Sequence, residues 1–226
     1  MKLLIFGATG SIGNYLYNKF NISDNIVYGT TTKLENIKDN IILVDNTNYI
    51  NLLELPNLDA IVWAHGYNFS DNINNFDVSK FNTIIDANVS FILNTLTYLL
   101  NNNKINNNAK MVIISSIWEE STRPNKLSYT ISKAALSGLV KNVAYDLSSK
   151  NILINNVLPG VIDNEMSRTF LSENTMNYVK DYLKFGRLIT LDDVYNTVKF
   201  LVTENTGITG QSIKVDLGFT NIKDMK

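Results

Sequence analysis

Seven short runs of aliphatic and β-branched residues punctuate the chain: Leu3–Phe6, Ile26–Thr30, Ile41–Val44, Ala60–Ala64, Lys110–Ser115, Ile152–Val157 and Ser212–Val215. They do not alternate apolar with polar as half-exposed strands do. They are apolar at most positions, as strands covered on both faces must be. Between them lie helix-period stretches around Ile12–Phe20, Phe81–Leu100, Ser128–Ser149 and Leu191–Thr203. Strands alternating with helices build right-handed βαβ units. The predicted fold is therefore α/β, a Rossmann-type doubly wound parallel sheet of about seven strands with helices on both faces. No Pro/Gly linker divides the 226 residues, so one domain spanning 1–226 is expected. Thr31 to Asn40 leaves room for a turn or two of helix at most.

Composition removes several classes of chemistry. With 45% hydrophobic residues the chain can bury a core. A net charge of −1 with no basic block argues against a nucleic-acid partner. There are no cysteines, which excludes disulfides and thiolate metal sites. His65 is the one histidine, so no metal site is expected and catalysis is not expected to use imidazole. The first apolar run stops at Gly7, short of the roughly 7–15 residues of a signal peptide. Nothing resembles the roughly 20 apolar residues of a membrane span. These features predict a cytoplasmic protein with no membrane partner. The asparagine clusters at 101–103 and 106–108 read as surface loops.

Gly7-Ala8-Thr9-Gly10-Ser11-Ile12-Gly13 follows the first strand directly and opens a helix. A pyrophosphate needs backbone N–H groups, a helix N-terminus and no side chains where the backbone approaches it. This turn is a candidate dinucleotide site. After the second strand an NAD-selective site carries a carboxylate for the adenosine ribose. Here Thr30, Thr31, Thr32 and Lys33 precede the first acid, Glu35. Three hydroxyls and an ammonium suit a 2′-phosphate, so NADP is expected, with NAD the alternative.

A Tyr-x-x-x-Lys pair places a phenol and an ammonium one turn apart on a helix face, where the cation favours phenolate. The chain has three such pairs: Tyr15/Lys19, Tyr129/Lys133 and Tyr195/Lys199. With 11 tyrosines the motif alone decides nothing. Context selects Tyr129, because Ser115-Ser116 upstream ends an apolar strand at the carboxyl edge of the sheet, where open α/β folds bind ligands.

In order and spacing these pieces resemble the short-chain dehydrogenase/reductase family over nearly the whole chain. The motifs are the glycine turn Gly7/Gly13, Asn88 in Asp86-Ala87-Asn88-Val89, Ser116, Tyr129/Lys133, Pro159-Gly160, and the closing segments 207–211 and 215–218. The resemblance implies an NAD(P)-dependent oxidoreductase that moves hydride between the cofactor and a small carbonyl or alcohol. Tyr129 would protonate the carbonyl oxygen and Ser116 would hydrogen-bond it. Lys133 would hold the nicotinamide ribose, and Asn88 would tie Lys133 to a water relay. Cofactor contacts would come from Gly7, Thr9, Gly10, Ser11, Ile12, Gly13, Thr30–Lys33, Asp45, Asn46, Ala64, His65, Gly66, Pro159, Gly160, Ile162 and Asn164, with Asp45 at the adenine. A catalytically silent NADP-binding regulator on the same fold is the alternative.

The glycine turn is spaced G-x-x-G-x-x-G, with Ser11 at the family's usual middle glycine, and Ala64-His65-Gly66 replaces its Asn-Ala-Gly. Substrate contacts are expected after Ser116, from Trp118, Glu119 and Glu120, and after Gly160, from Met166, Phe170, Met176 and Tyr178. An aromatic beside two carboxylates would suit a hydroxylated, sugar-like or cationic substrate. Relatives pair through the helices at Phe81–Leu100 and Ser128–Ser149. A homodimer or homotetramer is expected, using apolar residues such as Phe91, Leu136 and Val140.

Overall fold

The computed structural model describes residues 1–222 apart from Ser23, Asp39, Asn46 and Lys184, and omits the side chains of Glu165, Met166 and Phe170. The cofactor contact expected at Asn46 thus falls outside the described residues. Seven strands form one parallel sheet in the order β3-β2-β1-β4-β5-β6-β7. They are β1 (Lys2–Phe6), β2 (Ile26–Thr31), β3 (Ile41–Leu43), β4 (Leu58–Trp63), β5 (Ile105–Ile114), β6 (Leu153–Pro159) and β7 (Ser212–Val215). The helices are α1 (Ser11–Asn21), α2 (Val78–Ile85), α3 (Phe91–Asn101), α4 (Leu127–Asp146), α5 (Glu165–Phe170), α6 (Glu173–Tyr182) and α7 (Leu191–Thr203). A 3₁₀ turn, Leu34–Asn36, lies in the short segment between β2 and β3.

The unbroken apolar character of the strands has a direct cause: each serves two cores. In β1, Leu4 and Phe6 pack with Trp63, Phe91, Leu96 and Leu136 under α3 and α4. Leu3 and Ile5 pack with Leu16, Phe20, Val194 and Val198 under α1 and α7. Successive side chains point to opposite faces, so both sets must be apolar. The strand order reverses between β1 and β4, which opens a crevice at their carboxyl ends. Both the glycine turn after β1 and Ala64-His65-Gly66 after β4 lie at that crevice.

Several sequence expectations are corrected. β5 begins at Ile105, so the second asparagine cluster lies in a strand with an irregular register against β4. There Asn106 Nδ2 donates to Asp59 Oδ1 at 2.7 Å. Contrary to the expectation of no such span, the stretch Val78–Asn101 has the length and mean hydropathy, 1.3, that could cross a membrane. Its Ile84, Phe91, Ile92, Leu96 and Leu99 are buried in the protein's own core. Phe91, Leu136 and Val140 were expected to be spare apolar surface for self-association. They are buried within the monomer, and the outward apolar residues of α3 and α4 are Leu93, Ile131 and Tyr145.

Candidate active site

Two glycines shape the turn after β1. Gly7 has φ +76°, and a Cβ there would come 2.8 Å from the His65 backbone nitrogen. At Gly13 a Cβ would run into the Gly7 carbonyl, which lets the first turn of α1 press against the loop. Gly10 caps α1 without any side-chain hydrogen bond, so the first-turn amides remain available for an anion. The Thr30 hydroxyl accepts from Gly7 N at 3.2 Å, and Thr31 Oγ1 accepts from Lys33 N at 3.2 Å. Thr30 therefore braces the turn and Thr31 the start of the loop after β2, while Thr32 and Lys33 are exposed. Thr9, Thr30, Thr31, Thr32 and Val44 line one cleft with His65, Gly66, Tyr67, Ala87 and Phe91. Asp45 Oδ1 accepts from the backbone and side chain of Thr47 and from Asn48 N, which lowers its pKa. The absence of side chains at Gly7, Gly10 and Gly13 beside an uncapped helix start fits the phosphates of a dinucleotide.

A second cleft adjoins the first through His65 and Gly66. Ile12, Ala64, Ser116, Tyr129, Lys133, Pro159, Gly160, Ile162 and Asn164 line it. The sheet edge and α4 thus bring Ser116, Tyr129 and Lys133 to one wall. Burial pushes the Tyr129 phenol up to about 12, opposed by a hydrogen bond with Ser116. The phenol therefore stays protonated near neutral pH, contrary to the expectation that the neighbouring ammonium favours phenolate: burial outweighs it. Lys133 Nζ lies 5.8 Å from the Tyr129 ring centroid and donates to Ile114 O at 3.1 Å. Burial lowers its ammonium to about 8, partly opposed by the charge of Glu119.

Asn88 sits in a π turn, Asp86–Ser90, joining α2 to α3. Single wide turns of this kind inside helices recur at functional sites. Its amide clamps the Tyr67 backbone and donates to Ser132 Oγ at 2.9 Å. A Cβ at Gly66 would come 3.7 Å from both Asn88 Oδ1 and Lys133 Nζ, so the absence of a side chain at residue 66 keeps this corner open. His65 packs edge-on to Phe91 with centroids 4.7 Å apart. Burial first, and the Lys133 charge second, bring its imidazole down to about 3. Asn164 Oδ1 accepts from Ser167 N at 2.9 Å and so caps α5.

The expectation of an acidic substrate loop is overturned. Glu119 is buried behind the wall, where its carboxylate accepts from Asn156 Nδ2 at 3.0 Å and from Ser212 Oγ. Glu120 pairs with Lys214 at 2.7 Å. Of the three, Trp118 alone lines the cleft. After Gly160, Asn164, Ser167 and Leu171 line it. Met176 and Tyr178 do not line it; Tyr178 is exposed and lies at a tilt to Tyr182, and the side chains of Met166 and Phe170 fall outside the described residues. Asn68, Arg123 and Lys126 line the cleft without having been singled out in the sequence. The last two lie between Ser116 and Tyr129, a span anchored on the cleft at both ends, which was the available signal.

The other two Tyr-x-x-x-Lys pairs converge elsewhere. Lys19 Nζ lies 5.2 Å from the Tyr15 ring and 5.7 Å from the Tyr195 ring, and it pairs with Asp192 at 3.0 Å. This cluster joins α1 to α7 and contributes nothing to either cleft.

Comparison with known proteins agrees with this architecture. A family model described as enoyl-(acyl carrier protein) reductase matches residues 52–220. A 3-oxoacyl-[acyl-carrier-protein] reductase from Rickettsia felis is 30% identical, with 95% of each chain covered. The structure of ElxO with NADP bound superposes with a TM-score of 0.84 at 26% identity, covering 98% of this chain and 99% of that one. A short-chain dehydrogenase family protein from Francisella tularensis gives a TM-score of 0.85 at 22% identity, covering 98% and 99% respectively. The chain therefore belongs to the short-chain dehydrogenase/reductase family of nicotinamide-dependent oxidoreductases.

Proposed function

We propose that the protein is an NADPH-dependent reductase of a small carbonyl compound, with Ser116, Tyr129 and Lys133 as its catalytic residues and Asn88 as their positioning partner. The observation that carries this reading is the buried, protonated Tyr129 phenol beside Ser116 on a cleft that adjoins the glycine turn. The bound cofactor supplies hydride. Ser116 and Tyr129 orient the carbonyl oxygen by hydrogen bonds, and Tyr129 delivers its proton to that oxygen as the C–H bond forms. Lys133 then stabilises the phenolate left behind. Asn88 holds Tyr67 and Ser132, and so braces the loop after β4 against α4, the helix that carries Lys133. Running in reverse, the same groups oxidise an alcohol.

In this reading the Gly7–Gly13 turn holds the pyrophosphate through backbone N–H groups, and Thr32 with Lys33 meets the 2′-phosphate. Asp45 faces the adenine. Ala64, His65, Gly66, Pro159, Gly160, Ile162 and Asn164 surround the nicotinamide half. A cytoplasmic location and a homodimeric or homotetrameric assembly belong to the same proposal. Following NADPH oxidation across a panel of aldehydes and ketones tests it. Turnover of at least one compound, lost in Tyr129→Phe, is expected. NADPH binding without any turnover would point instead to the silent regulator.

A further inference from the structure

Among the described side chains the charge of the second cleft is one-sided. Arg123, Lys126 and Lys133 all line it, and no carboxylate does so among the described residues. The acids nearby in sequence are turned to other tasks, Glu119 to Asn156 and Ser212, and Glu120 to Lys214. Asp71, whose charge Lys126 feels, spends its oxygens on the backbone and hydroxyl of Ser128.

Lys133 serves the cofactor side of Tyr129, which leaves two cations with no part in the chemistry described above. Lys126 is 2% exposed and reaches the cleft beside the tyrosine: its Nζ is 5.5 Å from the Tyr129 ring centroid and donates to Asn68 Oδ1 at 2.7 Å. Keeping an ammonium this deep is costly. Burial and the neighbouring Arg123 charge bring Lys126 down to about 8, and burial lowers Arg123 as well. Two like charges that line one cleft and feel each other, both opposed by burial, lower their energy when an anion enters that cleft.

From this lining we infer that the substrate is a carbonyl compound bearing its own anion, a carboxylate or phosphate close to the carbonyl, which Arg123 and Lys126 receive while Tyr129 and Ser116 hold the carbonyl oxygen. The inference rests on the reductase reading and names the substrate class for that site. It also departs from the hydroxylated, sugar-like or cationic substrate that Trp118 beside Glu119 and Glu120 would have suited. Guanidinium and ammonium together suit an oxyanion, since the guanidinium offers a planar fork and the ammonium a compact point charge.

The test measures binding and turnover on the full chain. Malonate and inorganic phosphate are titrated by calorimetry into the protein saturated with NADP, so that the glycine turn is already filled. At least one of them should bind, and Arg123→Gln and Lys126→Gln should each weaken it ten-fold or more, with Arg123→Lys retaining part of the affinity. Lys214→Gln, outside the cleft, should leave it unchanged. Turnover is then compared in matched pairs, acetoacetate against methyl acetoacetate and dihydroxyacetone phosphate against dihydroxyacetone. A preference for the anionic member of ten-fold or more in kcat/KM should appear in one pair, which identifies carboxylate or phosphate. The preference should shrink in the two variants. Because Lys126 is buried, its glutamine variant could fail to fold; the half-exposed Arg123 then carries the comparison. Absence of binding by both anions, or wild-type affinity in Arg123→Gln, overturns the inference while leaving the reductase intact. Failure to bind NADPH overturns the reductase reading itself, whatever the anions do.

Discussion

Asn88 grips the backbone of Tyr67 from both sides: Oδ1 accepts from Tyr67 N at 2.7 Å and Nδ2 donates to Tyr67 O at 3.0 Å. One side chain thus satisfies a full peptide edge in the loop that carries Gly66, and its remaining proton goes to Ser132 on α4. The π turn that hosts Asn88 is locked to the loop after β4 and to the helix bearing Tyr129 and Lys133.

Asn88→Asp keeps the shape but loses both donors and sets a carboxylate against the Tyr67 carbonyl. Stability should drop by about 1–3 kcal/mol, the usual cost of leaving buried polar groups unsatisfied. Turnover should fall with it as the loop after β4 loses its tie to α4. Urea unfolding checks the first, and an unchanged midpoint would show that the clamp is energetically idle.

For Tyr129→Phe, packing is preserved and one hydroxyl is lost. Turnover should fall by on the order of 10²-fold or more, as when a positioned general acid is removed, with NADPH affinity nearly unchanged. Phenylalanine at Tyr15 or Tyr195 should leave the rate alone, since both surround Lys19 between α1 and α7. Steady-state kinetics of the three variants decides the matter. Comparable losses at all three would end the assignment.

Cofactor preference is open to a direct comparison. Thr32 and Lys33 are exposed just past β2, with no acid before Glu35. NADPH should bind several-fold more tightly than NADH, and Lys33→Ala should narrow the gap. Equal affinities in fluorescence titration would refute the preference.

His65 supplies a pH test with a defined sign. Its folded value of about 3 lies below the ordinary 6.5 because the ring is buried near Lys133. Above pH 6.5 both folded and unfolded forms are neutral there, and the residue contributes no pH dependence. As pH falls from 6.5 towards 3 the unfolded chain takes up a proton that the folded chain refuses, so stability is lost across that window. Replacing His65 by glutamine should flatten this part of the stability–pH curve by up to one proton. An identical slope in the variant would contradict the buried, neutral state.

Self-association, if it runs through α3 and α4, must use outward residues. Ile131 and Tyr145 are 42% and 82% exposed on α4, and Leu93 is 42% exposed on α3. Tyr145→Glu is predicted to shift a dimer or tetramer towards monomer in sedimentation velocity. A wild-type monomer at all concentrations would remove the prediction.

The sequence by itself determined the α/β class, because a strand buried on both faces must be apolar at nearly every position, and β1 shows both faces in use. It also determined the tight turn after β1, since Gly7 takes a positive φ and Gly13 has no room for a Cβ. Of the three Tyr-x-x-x-Lys pairs, position relative to a strand end was enough to select the one that reaches the cleft. Tertiary structure decided what local pattern does not encode. Whether Glu119 points into the cleft or behind it depends on Asn156 and Ser212, residues 37 and 93 positions away. Phe91, Leu136 and Val140 read as surplus apolar surface only while the depth of the α3–α4 core was unknown. Arg123 and Lys126 reached the cleft that Tyr129 also lines because the 67–71 segment folds against the start of α4, with Asp71 N donating to Asn125 O and Leu127 N to Asp71 O. Side-chain direction at a sheet edge is set by such long-range pairings, whereas strand and turn character is set by neighbours in the chain.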